Sequence, residues 1–218
     1  MEIRFEDIRF SLERASLEMI QQKDHLARLD AAVGDGDLGV TVELGCRALV
    51  EAFRAVESPD LGVLLTSGGR NLARSASSTF GILVATAFIE AGKAASGKCV
   101  VTPSEVARIA RRMVDSVQGR GHAEVGDKTM LDVIIPTLTA FEQGVLSGLG
   151  LRETLDQSMQ AAKVGLRSTI PLKSKHGRAA WMGEKSIGVQ DAGATAVYLF
   201  LDSFVKHLKI CLNNTESS

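Results

Sequence analysis

Apolar residues recur along this chain at intervals of three and four far more often than at alternate positions, a period that fits the α-helix and not the strand. Aromatic residues make up only 5% of the chain and prolines number four, so little interrupts the pattern. The spacing predicts an all-α fold of eight helices, at about residues 5–29, 40–56, 61–75, 79–95, 103–117, 128–143, 151–168 and 193–208. The first places Ile8, Leu12, Ala15, Ile20 and Leu26 on its apolar face. The fourth is apolar on nearly all sides, which calls for burial around most of its circumference. Thr102-Pro103-Ser104-Glu105 is a helix start in three parts: an N-cap, a proline at the first position and a capping-box glutamate. Pro136 is expected to kink the sixth helix.

At 218 residues the chain can bury one full core, and residues 1–210 read as a single domain followed by a polar tail, 211–218, that frays. Lys plus Arg number 25 against 26 for Asp plus Glu, a formal net charge of −1, so no general attraction to nucleic acid or anionic membrane is expected. Cys46, Cys99 and Cys211 are far apart and lack metal or redox spacing, as in a reducing compartment. The charged start and the absence of any bilayer-length apolar run complete the expectation of a cytoplasmic protein.

Three irregular segments, around 30–39, 119–128 and 169–192, are where a site would be built. The first is Leu29-Asp30-Ala31-Ala32-Val33-Gly34-Asp35-Gly36-Asp37-Leu38-Gly39-Val40, with three carboxylates within eight residues. Such a cluster before a helix start suits Mg²⁺ carrying phosphate: carboxylates hold the metal while free N–H groups and the helix dipole attract phosphate oxygens. Turn chemistry accounts for Asp35 and Asp37, but Asp30, at the end of a helix, opposes the dipole without local benefit. The spacing also misses the EF-hand pattern. Further on, Ser77-Ser78-Thr79 precedes the apolar helix, with Ser78 as its cap. In Gly126-Asp127-Lys128-Thr129-Met130, Asp127 or Thr129 caps a helix, and Lys128 is a cation where the dipole disfavours one. Arg178 offers planar donors that fit phosphate. The four histidines, His25, His122, His176 and His207, are scattered, and no Walker loop, dinucleotide fingerprint or protein-kinase set is present.

Taken in order and spacing, these four motifs, with Gly177-Arg178-Ala179 leading to Gln190-Asp191-Ala192-Gly193-Ala194-Thr195, resemble the nucleotide-binding L subunits of dihydroxyacetone kinases over nearly the whole chain. The resemblance implies a closed barrel of eight antiparallel amphipathic helices with ADP or ATP and Mg²⁺ at one end. It implies Asp30, Asp35 and Asp37 as ligands of two Mg²⁺ ions that neutralise a phosphoryl group in transfer. It places Leu38, Gly39, Thr41, Ser78 and Thr79 near the phosphates, and Gly121, Met130, Arg178, Asp191, Ala192 and Gly193 around the rest of the nucleotide, with the Met130 thioether against the purine.

One position departs from the family. Many members read Gly-Asp-Gly-Asp-His-Gly, and Leu38 here stands where the imidazole would be, which implies weaker nucleotide retention or a subfamily acting on another ketose such as a tetrulose. The resemblance also implies a separate K-type subunit that holds the ketose. The phosphoryl donor is then ATP or an M-type phosphotransferase subunit that rephosphorylates bound ADP. The competing expectations are an ATP-dependent kinase subunit for a tetrulose and an ADP–Mg²⁺-binding regulatory protein without turnover.

Overall fold

The computed structural model describes residues 2–216, with side chains described as far as residue 213. Among the described residues nine α-helices follow one another: α1 (Phe5–Ile20), α2 (Lys23–Ala31), α3 (Leu38–Ala55), α4 (Leu61–Ser75), α5 (Thr79–Ala94), α6 (Pro103–Gly121), α7 (Leu131–Leu146), α8 (Leu151–Ser168) and α9 (Ala192–Glu216). A 3₁₀ segment, Arg178–Ser186, broken at Gly183 where the backbone leaves helical geometry (φ 56°, ψ −126°), lies in the long loop before α9. The only strands among the described residues are β1 (Ile3–Arg4) and β2 (Val100–Val101), a two-residue antiparallel pair. No helix is long and apolar enough to cross a membrane among the described residues.

The predicted first helix is two helices. Gln21 and Gln22 donate backwards by three residues, to the Glu18 and Met19 carbonyls, and Gln22 leaves helical geometry at φ −89°, ψ 1°. The turn swings α2 so that Leu26 joins Met19, Leu38, Val42 and Cys46 in one buried cluster. The last helix runs past its predicted end at 208 to Glu216, because Val205, Leu208 and Leu212 continue one buried stripe. Residues 217 and 218 of the predicted tail lie outside the described residues. The Thr102 capping box is formed in full, with Thr102 and Glu105 each accepting from the other's backbone N–H.

Each helix from α3 onward packs on the next in sequence, α1 packs on α3 and on α9, and α2 packs on α3. The main core draws on Leu12 of α1, Phe53 of α3, Leu64 of α4, Phe88 of α5, Phe141 of α7 and Leu208 of α9. Because successive helices alternate in direction, the start of α3, the end of α4, the starts of α5, α7 and α9 and the long loop gather at one end. The β1–β2 pair sits at the other, where Phe5 N–H donates to the Cys99 carbonyl.

Two contacts fix this arrangement. Pro136 lies inside α7 without ending it, and having no N–H it leaves the Asp132 carbonyl without its helical donor. Gly165 of α8 packs against that same carbonyl, so closely that a Cβ at this position would overlap the oxygen. Where α1 meets α9, Glu18 is paired with His207 at 2.8 Å, Ser203 at 2.7 Å and Lys206 at 3.1 Å. The His207 contact, followed by that from Ser203, pulls the Glu18 carboxyl down to about 2.

Gly165→Ala is therefore expected to cost about 3 kcal/mol through overpacking against backbone, read by chemical denaturation. Leu146→Ser, at a side chain 86% exposed, stays within about 0.5 kcal/mol of the parent. Glu18→Gln should melt lower than the parent at neutral pH. Since the folded protein lowers this carboxyl, its contribution is present above the ordinary value of 4.5 and disappears as pH falls through about 2. Melting curves of both proteins across that window should converge at the acidic end.

Candidate nucleotide and metal site

The last turn of α2, the loop after it and the N-cap of α3 present Asp30, Asp35 and Asp37 in turn, so that one oxygen from each lies within 4.8 Å of the others. The turn between them depends on glycine. Gly36 has φ +77°, and a Cβ on Gly34 would come within 2.7 Å of the Asp30 carboxylate. Asp30 is tied to α3 by accepting from the Leu38 N–H at 3.3 Å, which gives the carboxylate that turn chemistry left unexplained a fixed place. Burial, then the charges of Asp35 and Asp37, raise the Asp30 carboxyl above its ordinary value. At Asp35 burial works upward as well, but the hydrogen bond and charge of Arg178 outweigh it and hold the group low.

Arg178 arrives from the 3₁₀ segment more than 140 residues away, its Nη1 hydrogen-bonding Asp35 and reaching Asp37 at 2.6 Å. Those contacts, Asp37's first, raise the guanidinium further above its usual range. Beside it lies a cleft of about 340 Å³ lined by Asp37, Val40, Thr41, Ser77, Ser78 and Arg178 among others. That volume falls within the usual range for small-molecule sites. Ser78 caps α5 as expected, accepting from the Gly81 N–H at 3.1 Å, and Thr79 is exposed at the helix start. Three oxygen donors in a solvent-reached cluster, next to helix N-termini, suit a hard divalent cation bearing phosphate.

Other predicted residues lie elsewhere in the same end of the molecule. Leu38 is 6% exposed and packs into the cluster of Met19, Leu26 and Cys46, so it offers the site its backbone and not its side chain. Gly39 is buried behind it. Met130 is 7% exposed in a cluster with Val117 and Leu131, against which Leu83 packs, and Gly121 at the end of α6 also faces Leu83. Asp191 caps α9 by accepting from the Ala194 N–H at 2.7 Å, and burial pushes its carboxyl up to about 6. Ala192 packs into the Leu38 cluster, and Gly193 lies beside Phe80.

The motif before α7 differs from its predicted form. The helix begins at Leu131 rather than 128, since Lys128 adopts a left-handed φ of +62° that no helix accommodates. Asp127 does not cap it. Its carboxylate accepts from Lys175 at 2.6 Å and from the Glu124 N–H at 2.8 Å, with His176 at 3.2 Å, and the contact with Lys175 leads in drawing it down to about 2. Thr129 Oγ1 accepts from the Leu131 N–H at 3.2 Å. The carboxylate that organises this turn is Asp132, 1% exposed, which accepts from the Gly126 and Thr129 N–H groups at 2.6 and 2.7 Å. Its position inside an apolar helical run gave no cue in the sequence.

Comparison with known proteins identifies the family and the fold. Residues 32–206 match the family described as the DAK2 domain. The ADP-binding subunit DhaL of the PEP-dependent dihydroxyacetone kinase of Escherichia coli (strain K12) is 34% identical over 180 residues, covering 83% of this chain and 86% of that protein. The ADP-binding subunit DhaL of PEP-dependent dihydroxyacetone kinase 2 of Listeria innocua is 31% identical, covering 87% of this chain and 88% of the relative. L-erythrulose kinase of Pectobacterium atrosepticum is 33% identical over 88% of this chain, which spans only 33% of that longer protein. Among solved structures, the native dihydroxyacetone kinase of C. freundii shares the fold with a TM-score of 0.71 at 24% identity, over 91% of this chain and 34% of the other.

Because Arg178 occupies the carboxylates a cation would use, Arg178→Ala should bind Mn²⁺ in the absence of nucleotide about fivefold more tightly, the modest gain of releasing an exposed ion pair. Titration followed by Mn²⁺ electron paramagnetic resonance measures this. Unchanged or weaker binding would show that the guanidinium and the ion do not compete.

Proposed function

Because this chain belongs to the DAK2 domain family, we propose that it is the nucleotide–Mg²⁺-binding subunit of a dihydroxyacetone-type kinase, passing a phosphoryl group to a small ketose held by a separate K-type subunit. The observation that carries the proposal is the set of Asp30, Asp35 and Asp37 oxygens within 4.8 Å beside the cleft under Arg178. The nucleotide is ADP or ATP, its phosphates lying along Thr41, Ser78 and Thr79 and its base toward Gly121, Met130 and Asp191 to Gly193. Two Mg²⁺ ions held by the three aspartates would supply charge neutralisation at the transferring phosphoryl group.

The protein's own part is positional. Asp30, anchored to the Leu38 N–H, holds its oxygen in place before any ligand arrives. Arg178 can leave Asp35 and Asp37 for the phosphate oxygens, to which a planar guanidinium is equally suited. Behind the Leu38 N–H, which Asp30 takes, the Gly39 and Val40 N–H groups in the first turn of α3 have no helical acceptor and face the same end. The order of helix contacts and an apolar cavity of about 360 Å³ among the helices support a closed eight-helix barrel around this end, with α2 as an appended turn.

Relatives whose names specify PEP dependence support an M-type phosphotransferase subunit as donor to ADP kept in the site. The erythrulose kinase at 33% identity favours a tetrulose as the alternative ketose. A soluble cytoplasmic subunit with no nucleic-acid or membrane partner fits the near-zero net charge. Residues 1–210 form its single domain.

Asp30→Asn should leave the helices intact and reduce phosphoryl transfer to dihydroxyacetone, in the presence of a K-type subunit, by at least about 100-fold. Circular dichroism and a coupled transfer assay check the two halves. Transfer at the parental rate would remove Asp30 from the reaction. Tight ADP–Mg²⁺ binding with no transfer by the parent protein to either triose or tetrulose, from ATP or a phosphotransferase donor, would favour the regulatory role.

A further inference from the structure

Lys128 is 2% exposed, among the largest fully buried side chains of the molecule. Its Nζ donates to three backbone carbonyls, those of Leu172 at 3.0 Å, Ser186 at 2.6 Å and Val189 at 2.5 Å. Among the described residues no carboxylate is paired with it directly, and the charge of Asp191 acts on it only from beyond ion-pair distance. An ammonium has three protons, and here all three are used on uncharged acceptors. Burying such a charge is costly unless every proton is matched, so the arrangement persists only if the loop closes around it.

The three acceptors come from both arms of the 169–191 loop. The arms are laced together elsewhere by Gly188 N–H to the Ile170 carbonyl at 2.8 Å and Ser174 N–H to Ser186 Oγ at 3.0 Å. Arg178 stands on the crest between those arms. The neighbouring Asp127 adds a second grip, accepting at its carbonyl from the Lys175 N–H and at its carboxylate from the Lys175 ammonium. Lys128 holds its left-handed φ, unfavourable for a residue with a side chain, at the point where the chain must turn the ammonium inward.

We propose that Lys128 is a positioning residue: its buried ammonium pins the two arms of the 169–191 loop so that Arg178 is delivered to the Asp35–Asp37 carboxylates and the nucleotide phosphates. The pin rests on the kinase reading only for what Arg178 does once placed. A neutral side chain of similar length would strand three carbonyls, and the loop would open to hydrate them. The main apolar core, built from Leu12, Phe53, Phe88 and Phe141, does not include these residues, so the damage stays local.

The chain's one tryptophan, Trp181, lies three positions after Arg178 and is 92% exposed, so it reports the loop's motion without touching the site. Lys128→Met should keep parental helical circular dichroism, lower the Trp181 fluorescence anisotropy and speed tryptic cleavage after Lys173, Lys175 or Lys185. Affinity for ADP–Mg²⁺ should fall about 100-fold, as for a misplaced positioning group. The Lys128→Met, Arg178→Ala double variant should lose scarcely more than Arg178→Ala alone, because the two act in series. In Lys128→Ala, ethylammonium should restore the anisotropy, whereas tetramethylammonium, lacking N–H donors, should not.

Parental anisotropy and tryptic resistance in Lys128→Met would overturn the proposal, as would losses in the double variant that multiply. If Lys128→Met does not fold, the ethylammonium arm decides: no recovery in Lys128→Ala overturns the pin. The fluorescence and proteolysis measurements need neither partner nor ketose, so the pin stands or falls apart from the kinase assignment, which transfer activity tests separately.

Discussion

Asp30, Asp35 and Asp37 offer oxygens within 4.8 Å of one another, so their like charges repel. Two conditions hold it together here: a backbone that fixes the carboxylates and a cation that answers them. The first condition is local: a two-glycine turn between α2 and α3, with Asp30 tied to the Leu38 N–H. The second is met from the far end of the sequence, by Arg178. Much of the architecture between these points, from α4 to α8, serves to return the chain to where it began.

The α1–α2 break gains its meaning from the same constraint. An unbroken helix from residue 5 to 29 would carry Asp30 away along the α1 axis. The turn at Gln21–Gln22 instead lays α2 against α3, buries Leu26 with Leu38 and Val42, and brings the end of one helix to the start of the next. At α7, Asp132 performs the corresponding task by collecting the Gly126 and Thr129 N–H groups, which orients the preceding Lys128 toward the loop.

Helical periodicity made most of the fold legible, because apolar spacing reports directly on which face is buried. It could not reveal the break at Gln21–Gln22, where neither glycine nor proline marks the turn and both flanking segments keep helical spacing. Nor could it place the start of α7, since a left-handed lysine has no compositional signature. Spacing alone marked Asp30, Asp35 and Asp37 as one cluster suited to a hard cation without separating that reading from turn chemistry. Arg178 as its counter-charge was not legible, since no local rule links positions 35 and 178, and the resemblance placed that arginine around the rest of the nucleotide. Side-chain direction was the other blind spot. The departure at Leu38 pointed toward the phosphates in sequence, whereas the first turn of α3 directs that side chain into the core.

The two cations at this end are not interchangeable, and the difference follows from what each faces. Lys128 meets neutral carbonyls in a closed environment, where its removal leaves unsatisfied acceptors that water reaches only if the loop opens; it belongs to the frame. Arg178 meets carboxylates at the surface, with its side chain 58% exposed, where solvent screens the pair and a better cation can displace it. A site that must take up and release a highly charged ligand needs a counter-charge that yields, carried on a loop that does not. An arginine at 128 could not fit its planar fork to three converging carbonyls. A lysine at 178 would answer the aspartates, but it would lack the parallel donors that let one side chain exchange carboxylates for phosphate oxygens.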